Sequence, residues 1–181
     1  MVYGEDDVEL FCQAFDMDAC EISEYINQNN ITYFAINRDN TKQIKRTEFT
    51  DEFSKEIVDF SVLSDSEITS LSSEISGFEN SKGKVVTLGG YKLLKSELKT
   101  KDSGGEYVLT QFVTVKNSKK ITLLFYTSGD TDRGYIDAVL EEQFPKEKDF
   151  KPLVIGGTVA FSLAVLVVLA LIILELRKKE N

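Results

Sequence analysis

The sequence has no histidine and no tryptophan, and it contains only two cysteines among its 181 residues. Without histidine, Ser-His-Asp and Cys-His catalysis, zinc sites with an imidazole ligand and imidazole pH switches are all excluded. The acidic residues show no spacing that singles out a general acid–base pair. We therefore predict no catalytic, cofactor-binding or metal-ligating residue and no cofactor, and a carboxylate- or metal-dependent enzyme is the least favoured class.

The two cysteines, Cys12 and Cys20, lie eight residues apart. In an oxidising compartment they have the spacing to close one disulfide between neighbouring helices, and the equally weighted alternative is a pair of buried thiols. Two thiolates without histidine do not complete the four ligands of a structural zinc ion, so the cysteines predict no metal site.

Acidic residues outnumber basic ones, 30 to 21, and the formal net charge is −9. We recognise no basic stripe in the sequence, and an acidic domain without one is repelled by phosphate backbones and by anionic headgroups. We therefore predict no nucleic-acid partner and no flat adhesion to a membrane surface.

The longest apolar run, residues 153–174, contains 22 residues and no charge. As a helix rising about 1.5 Å per residue it reaches about 33 Å, enough for a hydrocarbon core of about 30 Å. A buried core helix of this length without a charge is rare. We predict a soluble domain at 1–144, a charged juxtamembrane linker at 145–152, a transmembrane helix at 153–176 and a short basic tail at 177–181.

Small residues recur every fourth position within the predicted span, at Gly156, Ala160 and Ala164. This spacing places them on one helix face, where small side chains let a second helix approach closely. Besides the lipid bilayer, we therefore predict a partner in the membrane, either another membrane protein or a second copy of this chain.

The basic residues Arg177, Lys178 and Lys179 directly follow the span, whereas the lysines before it are interleaved with acidic residues. This pattern favours a cytoplasmic C-terminus and a domain outside the cytoplasm. That orientation requires a signal peptide upstream, because residues 1–9 have neither a basic start nor an apolar segment. The alternative is a tail-anchored protein whose domain faces the cytosol.

Helical periodicity dominates the first half of the domain. Apolar residues from Val8 to Phe15 predict one short helix, and Asp18 with Glu21 predicts the capped start of the next. Residues 31–36 and 42–49 predict a β-hairpin. A helix capped by Thr50 follows, with Phe53, Ile57 and Phe60 on its apolar face. The last predicted helix of this half begins at Ser64, with Glu67 as capping-box partner, and ends at Gly77.

Strand periodicity dominates the second half, at residues 84–88, 91–99, 107–115 and 121–127. Their short connections force neighbouring strands to run antiparallel. A final helix with apolar residues from Ile136 to Phe144 ends at Pro145. The predicted fold class is α+β, an antiparallel sheet packed by helices and followed by one C-terminal transmembrane helix.

The order of elements from VVTLGGYKLLKSEL through GGEYVLTQFVTVKNSKKITLLFYTS to YIDAVLEEQF resembles the PsbP/Mog1/DcrB-like group of α/β/α sandwich domains. The resemblance covers about 60 residues and implies an aromatic-rich pair of central strands followed by a helix that packs back on the sheet. It also implies an accessory or assembly protein, commonly extracytoplasmic and associated with a membrane. We thus predict a single-pass, non-catalytic binding protein that serves as accessory or assembly subunit of a membrane complex.

Overall fold

The computed structural model describes residues 5–76, 78, 83–102, 105–129 and 133–145. Several predicted features lie outside these residues: the transmembrane helix 153–176, Gly156, Ala160 and Ala164 on its small-residue face, the basic flank Arg177, Lys178 and Lys179, and the helix stop at Gly77. Within the described part of the chain, no helix is both long enough and apolar enough to cross a membrane.

The described elements alternate between a helical first half and a strand-rich second half. In chain order they are α1 (Glu5–Phe15), α2 (Ala19–Gln28), β1 (Ile31–Ile36), β2 (Lys42–Phe49), α3 (Glu52–Ile57), a 3-10 turn (Phe60–Val62), α4 (Asp65–Ser70), α5 (Ser72–Ser76), β3 (Lys84–Leu88), β4 (Tyr91–Asp102), β5 (Gly105–Lys116), β6 (Lys119–Ser128) and α6 (Tyr135–Gln143).

All six strands form one sheet in the order β1-β2-β6-β5-β4-β3, and every neighbouring pair is antiparallel. The predicted antiparallel sheet packed by helices is confirmed. Four of the five pairings join strands that follow one another along the chain. The fifth, between β2 and β6, joins the first hairpin to the rest of the sheet, with Ile44 opposite Phe125.

One face of the sheet, here called the α6 face, is packed by the last helix. Because side chains alternate along a strand, Leu93, Phe112, Leu123 and Phe125 all point to this face. They pack with the buried residues Ile136 and Leu140 of the last helix and with Phe144, which directly follows it. This cluster is the main core of the domain.

Two separate helical groups pack on the opposite face. Helices α1 and α2 cover β1, where Phe11 and Ile22 contact Ile31 and Phe34. The other group, the elements from α3 to α5, covers β3, β4 and part of β5. Its buried residues are Phe60, Ile68, Ile75, Leu94, Val113 and Val115. Between these two groups, none of the described helices covers the middle of this face.

The predicted capping boxes of two helices are confirmed. The Asp18 carboxylate accepts hydrogen bonds from the backbone N–H groups of Cys20 at 2.7 Å and Glu21 at 2.9 Å, and the Glu21 side chain accepts one from Asp18 N at 2.8 Å. Ser64 and Glu67 make the same reciprocal pair. These interactions satisfy N–H groups that a helix start leaves without a backbone partner.

The helix predicted after Thr50 is shorter than expected. Asp51, not Thr50, is its N-cap, and it ends at Ile57, which leaves Phe60 in the following 3-10 turn. Val58 stops the helix with φ of 62° and ψ of −55°, values of a strained γ-turn closed by a 2.7 Å hydrogen bond from Asp59 N to Ile57 O. In this conformation the Val58 carbonyl accepts a 2.8 Å hydrogen bond from Ser118 N in the β5–β6 turn.

The segment from Ser64 to Gly77 was predicted to form a single helix, and this prediction is wrong. The helix breaks at Leu71 into α4 and α5. The Ser70 hydroxyl donates to the Glu67 carbonyl at 2.7 Å, and this carbonyl is the one that the Leu71 N–H needs to extend the α-helix. Leu71 N instead donates to Ile68 O at 3.2 Å, a tighter turn that ends the helix.

Two buried threonines on the α6 face offer a matched test of the core. Thr110 and Thr127 are each 1% exposed; the Thr110 hydroxyl has no hydrogen-bond partner, whereas the Thr127 hydroxyl is bonded to the Tyr135 hydroxyl at 3.0 Å. We expect Thr110→Val to raise the free energy of unfolding by about 1 kcal/mol and Thr127→Val to lower it by about 1 kcal/mol. Thermal unfolding of the full chain in mild detergent measures both, and shifts of the same sign would contradict this assignment.

Candidate functional site

The middle of the sheet face opposite α6 carries an apolar surface that we call the open patch. It consists of Leu98 on β4, Tyr107 and Leu109 on β5, and Leu124 and Tyr126 on β6. Leu109 lies opposite both Leu98 and Tyr126 in the strand register. All five residues are half-buried, and they lie outside the three buried clusters that the described residues form. The patch is therefore apolar sheet surface that no described helix packs into a core.

The strands themselves show why this surface is unusual. Residues 121–127 of β6 run Ile-Thr-Leu-Leu-Phe-Tyr-Thr, so that apolar side chains occupy both faces rather than alternating with charges. Such near-continuous apolar strands are typical of sheets covered on both sides. On β6 the α6 face is covered, through Leu123 and Phe125, while Leu124 and Tyr126 point the other way.

An aromatic pair stiffens one end of the open patch. The rings of Tyr107 and Tyr126 lie on neighbouring strands with their centroids 5.0 Å apart and their planes inclined by 36°. Tyrosine presents a large apolar ring with a polar hydroxyl and has few rotatable bonds, so little conformational entropy is lost when it binds a partner. This pair is the kind of anchor on which binding surfaces depend.

A polar pair marks the border between the open patch and the half covered by α3 to α5. Ser96 and Gln111 lie opposite one another on β4 and β5. The Ser96 hydroxyl and the Gln111 side-chain oxygen are buried and have no hydrogen-bond partner. Buried polar groups without partners cost about 1–3 kcal/mol each, so this border is less stable than the core beside it.

The backbone beneath the patch already pairs with neighbouring strands on both sides. Strands β4, β5 and β6 are inner strands of the six-stranded sheet, with a neighbour on each side. A partner is thus unable to add a strand here and must bind through side chains. The open patch lies between two helical groups, and a helix with an apolar face is a segment that binds such a surface through its side chains.

The cysteines lie on the first helical pair, away from this patch. Cys12 is half-buried on α1, where it packs against the α1–α2 cluster, and Cys20 is exposed in the first turn of α2. Both are free thiols. The disulfide between them stays a prediction for an oxidising environment.

The carboxylates with shifted pKa values serve helix starts. Burial acts to raise the pKa of Asp51, but hydrogen bonds from Ser54 and the charge of Lys120 outweigh it, so that the net shift is downward. The Ser64 hydroxyl, followed by the Ser64 backbone N–H, lowers the pKa of Glu67. Carboxylates held in the charged form suit helix capping better than proton donation. Among the described residues, no group of three or more cysteine or acidic side chains lies close enough to hold a metal ion.

The open patch was not among the features predicted from the sequence. The signal was present in the consecutive apolar residues Leu123, Leu124, Phe125 and Tyr126, which indicate a strand that is apolar on both faces. What the sequence did not disclose is how the helices divide between the two faces, because that depends on the pairing of β2 with β6.

No protein-family model matches the chain, and no curated protein matches it. Among solved structures, the chain is similar to a protein from Bacteroides thetaiotaomicron VPI-5482 whose crystal structure has 1.50 Å resolution, with 11% identity and a TM-score of 0.38. The match covers 61% of this chain but only 36% of that one, and a likeness this distant defines neither fold nor function.

Proposed function

We propose that this chain is a single-pass membrane protein whose sheet domain binds another membrane protein as an accessory or assembly subunit. The open patch carries the proposal, because it is an apolar surface with an aromatic anchor and no described helix over it. The uncharged run 153–174, followed by Arg177, Lys178 and Lys179, supports membrane anchoring with the domain outside the cytoplasm. The absence of histidine supports a role that does not depend on catalysis.

Membrane anchoring also favours a partner in the same bilayer. The eight residues at 145–152 between the last described helix and the predicted span keep the domain near the membrane surface. Tethering raises the effective concentration of the open patch toward proteins in that membrane, so that even a modest patch affinity suffices. The occupant that we propose is an amphipathic helix of that partner, with its apolar side on Leu98, Leu109 and Leu124.

The proposed likeness to PsbP/Mog1/DcrB-like domains has support of its own. The α6 helix packs back on the central strands β5 and β6, which carry Phe112, Phe125 and Tyr126, as that group leads one to expect. The two helices α1 and α2 over β1 have no counterpart in the resemblance.

Site-specific photo-crosslinking tests the proposed function. We expect p-benzoylphenylalanine at position 109 or 124 to give one discrete adduct with another membrane protein in native membranes. The same group at Glu52, an exposed residue of α3, is the control and should give no such adduct. An adduct of twice the mass of the chain, or none at either patch position, would contradict a foreign partner at this surface.

A charge placed in the patch should remove the partner. We expect Leu109→Glu to abolish the adduct formed from position 124, because a buried, unpaired carboxylate opposes docking by several kcal/mol. Val62→Glu is the matched control, since Val62 is 76% exposed and lies outside the patch. Equal loss in both variants would show that added negative charge, and not the patch, governs binding.

A further inference from the structure

A second feature of the domain lies at the end of the sheet where β4 and β5 form their hairpin. A cavity of about 850 Å³ lies there against Gly129 and Arg133, the described residues that follow β6. Its charged lining residues are Lys99 and Lys101 of β4, Glu106 of β5, and Arg133. Three basic side chains and one acidic side chain thus line a cavity in a chain whose net charge is −9.

The strand register explains how the basic residues come together. Lys99 and Lys101 are two positions apart on β4, so both point to the same face, and their Cα atoms are about 6.5 Å apart. Lys101 lies opposite Glu106, which partly offsets its charge, whereas Lys99 lies opposite the apolar Val108. Glu97 separates these two lysines from Lys95 on the same face, so the predicted absence of a basic stripe stays a prediction.

The acidic residue next to the cavity, Glu97, already pairs with two basic side chains. Glu97, one step further along the same face of β4, is 3.1 Å from the Lys95 ammonium and 3.8 Å from the Arg133 guanidinium. One carboxylate between two cations leaves part of the Arg133 charge unbalanced.

We propose that this cavity binds a ligand through a phosphate monoester group. A phosphate monoester carries about 1.5 to 2 negative charges near neutral pH, more than a carboxylate, and so gains more from three basic side chains at one cavity. The planar fork of Arg133 suits two phosphate oxygens, and the two lysines supply mobile ammonium donors. The volume leaves room for more than the phosphate itself.

The alternative is that the exposed lysines at this cavity bind no ligand and only keep the domain soluble. Lys99, Lys101, Glu106 and Arg133 are all exposed, so their substitution leaves the core untouched and separates binding from folding. Asp130 and Asp132 lie in the neighbouring stretch outside the described residues and stay unchanged in every variant below.

Calorimetric titration of the full chain in phosphatidylcholine nanodiscs tests the proposal with two probes. Glycerol 3-phosphate represents a soluble monoester, and dihexanoyl phosphatidic acid represents a lipid headgroup. We expect saturable binding of at least one of them and much weaker binding of acetate. Binding of the first alone assigns a soluble ligand, and binding of the second alone assigns a headgroup.

Variants locate the binding in the cavity. We expect Lys99→Gln with Lys101→Gln to weaken binding at least about tenfold, and Arg133→Gln to do the same, because hydrogen bonds to charged groups have this strength. The matched control is Lys55→Gln with Lys119→Gln, which removes the same charge from exposed positions outside the cavity. No binding of either monoester, equal affinity for acetate, or equal weakening in the control would overturn the proposal. Tyr107 of the open patch also lines the cavity, but none of the substituted residues belongs to that patch, so a result here leaves the proposed function untested.

Discussion

Replacing Gly89 by alanine is expected to lower the free energy of unfolding by about 2–5 kcal/mol. Gly89 has φ of +58° in the β3–β4 turn, a conformation that costs a residue with a Cβ about 1–2 kcal/mol. The added Cβ would also lie 2.3 Å from the carbonyl oxygen of Phe144 and 3.0 Å from that of Pro145. Both neighbours are backbone atoms, so the C-terminal end of α6 must move away, and overpacking of this kind costs about 1–3 kcal/mol.

The neighbouring glycine supplies a control that separates the two costs. Gly90 also has a positive φ, 88°, but a Cβ at this position meets nothing within 4 Å. Gly90→Ala should therefore show only the backbone cost of about 1–2 kcal/mol. Thermal unfolding of the full chain in mild detergent gives both values. If the two variants lose equal stability, the close approach of Phe144 to the turn is not what fixes the end of α6.

This contact also matters for function, because it fixes where the domain ends. Phe144 is 2% exposed, and its ring lies 5.1 Å from that of Tyr91, just after the turn. The last described residues are thus held against the β3–β4 turn before the chain enters its charged linker. A Gly89→Ala variant that unfolds early should also lose the proposed photo-crosslink from position 124.

Local features of the fold were predictable, and the physical reason is their short range. The Asp18–Glu21 and Ser64–Glu67 capping boxes depend on residues three apart, and the hairpin of β1 and β2 was predicted with its observed bounds. The hydrogen bonds of the capping boxes join residues two or three apart, and those that close the hairpin turn join Asn37 to Lys42. Pattern and chemistry therefore indicate the same element.

Competition between local interactions caused the errors within helices. The Ser70 hydroxyl takes the Glu67 carbonyl that the helix requires, and Asp51 displaces Thr50 as N-cap by accepting a 2.7 Å hydrogen bond from Ser54 N. In both places hydroxyl and carboxylate side chains offer alternatives of similar energy. Periodicity of apolar residues does not distinguish between them.

The two candidate sites escaped prediction for different reasons. The open patch depends on the pairing of β2 with β6, a contact between distant parts of the chain that no local pattern specifies. The basic residues of β4, Lys95, Lys99 and Lys101, were visible on one face of the strand, with Glu97 between the first two, but the net charge of −9 concealed them. The charge on one face of a strand therefore indicates a binding surface better than the net charge of the whole chain.

Two arginines in the middle of the predicted span should release the protein from the membrane. We expect wild-type chain to resist extraction by alkaline carbonate, and the variant Val165→Arg with Leu166→Arg to be extracted almost completely. Each arginine near the centre of a membrane helix costs about 2.5–3.5 kcal/mol on insertion scales, so the pair opposes insertion by about 5–7 kcal/mol. Val165→Leu with Leu166→Val, which keeps the apolar character, is the control and should stay in the membrane.

The outcome also bears on how the open patch works. If the double-arginine chain is soluble and folded, its patch is intact but no longer concentrated beside membrane partners, so the crosslink from position 124 should fall even though no contact residue has changed. A crosslink of unchanged yield would mean that the patch binds its partner without help from the anchor. Wild-type chain that carbonate extracts would refute the membrane helix itself, and the partner would then have to be sought outside the bilayer.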